Sequence, residues 1–483
     1  MTADPLKMQL LPAVPADVAS QFSWWQREMR ESFPQDAAQG LSGQVSADVV
    51  IVGGGFTGLW TAFILKERHP ELDVVILDSY RCGDGASSRN GGNVHGYWSA
   101  LPTLLSLFGP DKCVEIARLG TTAQERLRKL AAAKGLDVWW TEKGYLRVAT
   151  SAYQSIKLRQ YLSTARLLGI ESTLRHLRKE EVAAYCDSPR FDEALLFEEG
   201  ATVHPARLCR KLRDAVVQAG VRIFEQTPVT SIAKGSPCLV TTAGGALSAR
   251  DVVLATYTGT MSIPDVARGT SLFSSFPVMS EPAPELLARM NYAQARGIAD
   301  LRMFTHYFRR TPDGRILMGS GSGPLEKGCT HAAAQLRDDA ASLRRAEVGL
   351  QRFFPDLGSG IAARWGFPIE VTSDRIPCFG TIPGTRIHYG SGYSGHGVNA
   401  TVIAGECLAS LVLDTKDKWS TSPFCRRDRL AFPPEPFRYW GGRAIRNAIV
   451  ACEDAEDARR PAPFLARALA AAPGYLGLKI GTR

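Results

Sequence analysis

The strongest constraint on what this 483-residue chain can fold into sits at residues 48–78. Asp48-Val49-Val50-Ile51-Val52 is a short β-branched run of the kind that forms a strand buried on both faces. Gly53-Gly54-Gly55-Phe56-Thr57-Gly58 follows at once and spaces Gly53, Gly55 and Gly58 as G-x-G-x-x-G. Residues 59–66 have helical length, residues 73–77 make a second apolar strand, and Asp78 closes it. Each part has a physical task. Gly53 permits the strand-to-helix turn, Gly55 lets backbone approach a pyrophosphate, and Gly58 lets the helix pack on the strand. The helix N-terminus offers free N–H groups and a positive dipole to phosphate, and the acid after the second strand accepts hydrogen bonds from a ribose. Strand, glycines, helix, strand and acid in this order make a βαβ dinucleotide-binding unit, with Asp78 and Ser79 at its ribose end.

A polar, glycine-rich loop comes directly after that acid: Gly85-Ala86-Ser87-Ser88-Arg89-Asn90-Gly91-Gly92. A nicotinamide enzyme has no evident need for such a loop there, which favours FAD over NAD. The run resembles the loop of the D-amino-acid oxidase/sarcosine oxidase superfamily of flavoproteins, and most of all its gamma-glutamylputrescine-oxidase-like amine oxidoreductases. The resemblance implies that Ser87, Ser88, Arg89, Asn90, Gly91 and Gly92 wrap the diphosphate and ribityl chain of FAD. It further implies backbone contact with adenine at Val229, and a strand ending in Ala255-Thr256 that passes the diphosphate.

A third segment, Gly390-Ser391-Gly392-Tyr393-Ser394-Gly395-His396-Gly397, precedes a helix over 400–413 and is similar to the superfamily's G-[FY]-S-G-H-G signature. It too satisfies G-x-G-x-x-G. The acid that follows, Asp414, closes a helix rather than a strand, so the second βαβ unit is missing and no second dinucleotide site is expected. A glycine loop at a helix N-terminus can instead aim N–H groups at the O2/N1 edge of a flavin, where reduction places negative charge. Gly392, Tyr393, Ser394, Gly395, His396 and Gly397 are therefore expected to contact the cofactor.

The expected fold is α/β: a discontinuous Rossmann-type FAD-binding domain (46–110, 200–265 and 365–415) with a second α+β substrate domain built on a mainly antiparallel sheet (111–199 and 266–364). Residues 1–45 read as a lead packed on the outside, and 416–483 as a basic helical C-terminal extension. Helices are expected over 102–135 and 151–185, and strand over 139–149. Residues 303–309 and 316–319 read as a hairpin around Pro312-Asp313-Gly314-Arg315. In the superfamily this sheet roofs the flavin, so His306 or Tyr307 is a substrate-pocket candidate, and only one of them can face the pocket. His95, at the far end of the FAD loop, is the third candidate, because histidine titrates near neutral pH.

The chain also departs from the superfamily. Asn399 stands where monomeric sarcosine oxidase has a carboxylate-binding Lys. Phe367 stands where that enzyme has its flavin-linked Cys. Arg89 is the nearest match to the flavin-linked His of dimethylglycine-dehydrogenase-like relatives. No Lys lies on 316–320, where the oxygen-activating Lys is expected. FAD is therefore predicted to be held non-covalently, and oxidase against dehydrogenase stays open. The implied reaction is oxidation of a C–N bond of an amine or amino-acid derivative. Hydride passes to flavin N5, the imine is hydrolysed, and the flavin is reoxidised by O2 (giving H2O2) or another acceptor. The alternatives are an FAD-dependent hydroxy-acid dehydrogenase and an electron-transfer subunit of a larger complex.

Composition narrows the partners. The net charge of +9 comes from 57 basic against 48 acidic residues, without a basic block or aromatic-interleaved stripe of the nucleic-acid-binding kind. Residues 421–483 hold 11 basic and 6 acidic residues, leaving a nearly balanced body. This tail is a candidate for contact with a membrane surface or partner, with a peripheral helical appendage the expected form. No apolar run reaches transmembrane length, no secretory signal opens the chain, and no metal-ligand spacing appears. Ten scattered cysteines without a Cys-x-x-Cys pair fit a reducing, cytoplasmic setting.

Overall fold

The β-branched run at 48–52 is the inner half of a longer strand, Gly43–Val52, in the computed structural model, which describes residues 7–10, 22–34, 37–329, 333–358, 360–425 and 427–479. Val49, Val50 and Ile51 are fully buried, as a strand covered on both faces requires. The strand pairs in parallel with Val74–Leu77 on one side and Gly245–Leu254 on the other. Arg222–Phe224 and Ile387–Ser391 extend the parallel core. An antiparallel meander of Val229–Ala233, Cys238–Thr242 and Gly245–Leu254 forms one wing, edged by Lys7–Gln9. Helices Phe56–Arg68 and Gly397–Val412 pack closely on one another, and Gly405 leaves no room for a side chain against Trp60.

The second sheet runs Ile361–Arg364, Thr270–Ser280, Ile316–Ser320, His306–Arg310, Gly297–Asp300, Tyr145–Ala149, Glu193–Phe197 and Arg175–Leu177. All its pairs are antiparallel except Gly297–Asp300 with Tyr145–Ala149. Alternation along its strands sorts the side chains into two cores. Leu146, Val148, Phe308, Ile316 and Met318 face helix Ala340–Phe353, while Tyr145, Tyr307 and Leu317 join the core shared with the first domain.

Four expectations change. The N-terminal lead does not lie outside the fold. Lys7–Gln9 is a sheet strand, and helix Trp24–Ser32 buries Trp25 completely. The expected domain break at 365 falls later, because Phe367–Thr372 pairs with Thr270–Ser280 of the second sheet. The helix expected over 151–185 ends at Leu168, where Gly169 turns left-handed (φ +62°), and Arg175–Leu177 returns as an edge strand. The strand expected over 139–149 starts only at Tyr145, after Gly144 with φ +87°.

The C-terminal extension is also less peripheral than expected. Its helix Phe437–Asp457 turns acids inward: Asp457 pairs with Arg302 and Arg352, Asp454 pairs with Arg345, and Glu453 accepts from the Phe304 amide. Phe437, Trp440, Phe464 and Tyr475 remain exposed on its outer side. Among the described residues no helix is long and apolar enough to cross a membrane.

Candidate cofactor and active site

A cavity of about 330 Å³ opens at the carboxyl ends of the parallel strands. This is where open α/β sheets bind ligands. Gly53, Gly55 and Thr57 form its floor, with Asp78 and Ser79 at one end and Tyr393, Gly395 and Gly397 at the other. The sequence segments separated by more than 300 residues thus share one wall. Thr57 and Tyr393 are joined directly, hydroxyl to hydroxyl, at 2.5 Å.

The glycine turn is built for backbone approach. Gly53 has φ +110°, and a Cβ there would lie 2.5 Å from the Ala255 carbonyl oxygen. Gly58 faces away from the cavity; its Cβ would stand 1.9 Å from the Gly53 carbonyl oxygen. The glycine is there for helix-to-turn packing, as its spacing implied. Asp78 accepts from the amides of Gly54 (2.7 Å) and Tyr80 (2.8 Å). Burial nevertheless raises its carboxyl to about 6.

The loop at 84–92 is held from all sides. The Phe56 amide, in the first turn of its helix, donates to Ser87 Oγ at 2.9 Å. Asn90 Nδ2 donates to the Ser87 carbonyl, and Asn90 Oδ1 accepts from the Gly92 amide, both at 2.8 Å. Trp25 and Trp365 donate their indole N–H groups to the carbonyls of Asn90 (3.0 Å) and Arg89 (2.8 Å). Ser23 Oγ donates to the Ser88 carbonyl at 2.6 Å. Ser87, Arg89, Asn90 and Gly91 reach the cavity wall; Ser88 and Gly92 stand behind it. Gly92 has φ +69° and its carbonyl accepts from Arg309.

Trp25 and Ser23 were missed as contributors. A signal existed. Ser23 and Gln26 form a capping box ahead of an amphipathic helix, and that helix had to bury its apolar stripe somewhere. Its anchor is Glu28, whose carboxylate faces His204 Nε2 at 2.9 Å and pairs with Arg207. His204 Nδ1 accepts from the Arg207 amide, so the ring proton sits on Nε2, toward Glu28. Burial lowers His204 to about 4, so the ring is neutral at pH 7.

At the far end the glycine loop is divided in its tasks. The Gly392 amide is spent on Glu370 (2.6 Å), and Gly392 has φ +81° against Thr372. Ser394 points inward, its amide donating to the Glu370 carbonyl and its hydroxyl to the Gly392 carbonyl. Neither residue lines the cavity, so both are withdrawn as direct cofactor contacts and instead shape the loop. Gly395, Gly397 and Val398 do line it, at the N-terminus of the 16-residue helix Gly397–Val412. His396 turns to a second cavity, together with His95. The two rings meet edge to face at 5.1 Å, and His95 stacks on Tyr145 at 4.4 Å.

Of the paired sheet candidates, Tyr307 lines the first cavity, with its hydroxyl 2.8 Å from Ser275 Oγ. His306 does not. The strand alternation puts it on the opposite face, between Gly349 and Phe353 of helix Ala340–Phe353 and near Asp300. It is withdrawn as a pocket residue. Val229, Ala255 and Thr256 all reach the wall, as do Tyr257, Thr258, Gly259 and Arg337, which carried no sequence signal.

The residues fit FAD on a direct test. Gly53 and Gly55 line the cavity where a side chain would collide with the Ala255 carbonyl or the Ser87 hydroxyl, and Thr256 Oγ1, also on the cavity wall, is buried without a hydrogen-bond partner. Comparison with known proteins agrees. The family model for FAD-dependent oxidoreductases of the DAO type matches residues 48–411, and the chain belongs to that family. It is 30% identical to gamma-glutamylputrescine oxidoreductase of Escherichia coli (strain K12) over 410 residues, 84% of this chain and 91% of that protein. It is 25% identical to glycine oxidase of Bacillus licheniformis over 388 residues, 77% of this chain and 95% of the relative. The fold matches the crystal structure of glycine oxidase from Geobacillus kaustophilus with a TM-score of 0.66 at 21% identity, covering 80% of this chain and all of that one. The protein is thus an FAD-dependent oxidoreductase of DAO fold, with FAD as its cofactor.

Proposed function

We propose that the protein oxidises a C–N bond of an amine or amino-acid derivative, leaving an imine that water breaks to a carbonyl and a smaller amine. One observation carries this reading over the hydroxy-acid alternative. Among the described residues lining the cofactor cavity, the only Asp, Glu or His side chains are Asp78 and Asp84. Both are held at the nucleotide end, Asp78 by Gly54 and Tyr80 and Asp84 by Arg30. An alcohol needs a base for its O–H proton, whereas an amine that arrives neutral needs none. The similarity to gamma-glutamylputrescine oxidoreductase and glycine oxidase supports the same class.

FAD, when bound, supplies the acceptor for the hydride of the C–H bond beside nitrogen. The protein's own residues bind and orient. Gly53, Gly55, Ser87, Arg89, Asn90 and Asp78 are assigned to the diphosphate and ribose, and Val229, Ala255 and Thr256 to the adenosine side. Gly395, Gly397 and Val398, on the cavity wall at the start of their helix, would offer its positive end to the flavin edge that gains charge. Glu370 and the Thr57–Tyr393 bond keep that loop in place. Tyr307 and Phe367, on the cavity wall, would cover the flavin ring and keep water from it. The nine described cysteines carry free thiols, which supports a reducing, cytoplasmic setting.

The test is anaerobic bleaching of the long-wavelength flavin band by a panel of amines and hydroxy acids. Bleaching by amines alone is expected. Bleaching by hydroxy acids alone transfers the protein to the alternative, and bleaching by neither favours an electron-transfer role. Readmitting air then separates oxidase from dehydrogenase by the rate of colour return.

A further inference from the structure

The C-terminal helices have their polarity inverted. Helix Phe437–Asp457 carries four acids, and all of them are spent on the body of the protein. Glu453 accepts from the Phe304 amide, Asp454 pairs with Arg345, Glu456 accepts from Ser151 Oγ and Gln154 Nε2, and Asp457 pairs with Arg302 and Arg352. The outer side is left with Phe437 and Trp440, both exposed.

Helix Phe464–Tyr475 packs on the first one and goes further. Its only charged residue is Arg467. Its covered positions are small: Ala466, Ala470 and Pro473, at the i, i+4, i+7 spacing of one helix face. The large apolar side chains point the other way, with Phe464 78%, Leu465 68% and Tyr475 89% exposed. A surface helix ordinarily buries its large apolar residues and exposes its polar ones. The chain then doubles back. A Cβ on Gly477 would stand 3.1 Å from Leu430 Cδ1, so exposed Tyr475 and Leu476 come to the end of the pair where Phe437 and Trp440 lie.

The charge around this apolar surface is positive. Residues 458–479 hold Arg459, Arg460, Arg467 and Lys479 and no acid, and the three arginines are exposed. On the first helix Arg443 lies 5.8 Å from the Trp440 ring centre. The acids at the near edge are offset: Asp428 stands between Arg427 and Arg429 in the chain, and Glu435 accepts from the amides of Gly328 and Tyr439. A second copy of the chain, docked face to face, would set these cations against themselves. An anionic bilayer takes apolar side chains of any shape without a matching pocket, and its headgroups neutralise the arginines. Trp440 and Tyr475 are of the residue types that settle at headgroup level.

We propose that the helix pair 437–475 docks the enzyme on an anionic lipid bilayer, with Phe464, Leu465, Trp440 and Tyr475 entering the interface and Arg459, Arg460 and Arg467 meeting headgroup phosphates. The occupant is a bilayer surface and not a span, since among the described residues no helix is long and apolar enough to cross. Apolar burial holds the pair in place, and charge selects the surface. The segment matched by the family model ends at residue 411, so this surface belongs to the part of the chain beyond it. The inference does not depend on which bond the flavin oxidises.

The flavin-loaded full chain is mixed with sucrose-filled vesicles of phosphatidylcholine, alone or with an equal part of phosphatidylglycerol, and bound protein is read by sedimentation. Binding to the anionic vesicles is expected, about tenfold or more tighter than to the neutral ones and weakened by added salt. Phe464→Ser with Leu465→Ser removes apolar anchors, and Arg459→Glu with Arg460→Glu reverses two charges. Each pair should weaken anionic-vesicle binding about tenfold or more, one basic residue near the surface contributing about fivefold. Flavin content and melting temperature should stay native, because all four side chains are exposed. No binding to anionic vesicles, equal binding to both vesicle types, or binding unchanged in both variants overturns the proposal. Sedimentation velocity is run beside it. A dimer that Phe464→Ser with Leu465→Ser dissolves, without vesicle binding, assigns the face to a second copy and overturns the proposal equally.

Discussion

Glu370→Gln should stabilise the protein, and by an amount that grows with pH. Glu370 is fully buried behind the glycine loop. Its Oε2 accepts from the Gly392 amide (2.6 Å) and Ser391 Oγ (3.0 Å), and its Oε1 lies 3.1 Å from Thr260 Oγ1. Thr260 has a single O–H, and its shortest partner is the Tyr257 carbonyl at 2.7 Å. A proton on Glu370 Oε1 completes the set by donating to Thr260 Oγ1. Burial accordingly raises the carboxyl from 4.5 to about 7, against these hydrogen bonds. The raised value means that the folded state holds the proton more tightly than the unfolded chain. Stability from this site is therefore full below about 4.5 and is lost as pH rises to about 7, a loss of about 3 kcal/mol. Glutamine keeps both the acceptor for Gly392 and the donor for Thr260, and it does not ionise. The assay is the melting temperature of flavin-loaded native and variant protein in matched buffers from pH 5 to pH 8. An unfolding entropy of about 2 cal/mol/K per residue makes about 3 kcal/mol worth about 3 °C if the whole chain melts together, and more if one domain leads. The gap should open through this range in favour of glutamine. A gap that is constant, or that closes as pH rises, refutes a carboxyl held neutral by its surroundings.

Gly58→Ala places a methyl carbon where the Gly53 carbonyl stands 1.9 Å away, and backbone cannot step aside cheaply. The purified variant should show a flavin-to-protein ratio several-fold below native after gel filtration. Trp25→Phe keeps the ring but removes the donor to the Asn90 carbonyl; titration of FAD into apoprotein should show about tenfold weaker binding, as expected for one lost buried hydrogen bond. Acid precipitation should leave the pellet colourless and the supernatant yellow, because Phe367 and Arg89 replace the residues that link flavin covalently in relatives. A yellow pellet would contradict non-covalent binding.

The cofactor segments were legible because their chemistry is local. Gly53, Gly55, Asp78, Ser87, Asn90 and Gly395 each sit in a short motif whose spacing already implies turn, strand or helix start. What escaped depends on partners distant in sequence. Trp25 had no meaning until the loop at 84–92 was laid over it. The choice between His306 and Tyr307 is a matter of strand register, which a one-residue slip would invert. Phe367–Thr372 looked like part of the cofactor domain because it leads into the glycine loop, yet its hydrogen bonds go to Thr270–Ser280. Gly392 and Ser394 matched a signature as a block, whereas only the fold shows which members of the block touch the ligand space and which brace it.

The pairing of Gly43–Val52 with Gly245–Leu254, and of that strand with Ile387–Ser391, carries a consequence for biosynthesis. The first strand, turn, helix and second strand are made within residues 43–77, but strand Gly245–Leu254, which covers the open edge of the first, follows only about halfway along the 483 residues, with Ile387–Ser391 after that. The wall at 393–401 comes later still. Until then the nascent polypeptide exposes the apolar strands Gly43–Val52 and Val74–Leu77 with an open edge, the condition under which partly folded chains aggregate. Capture of FAD is therefore a late event in the maturation of the protein, and flavin supply bears on how much newly made chain reaches the native state rather than on how its folding begins.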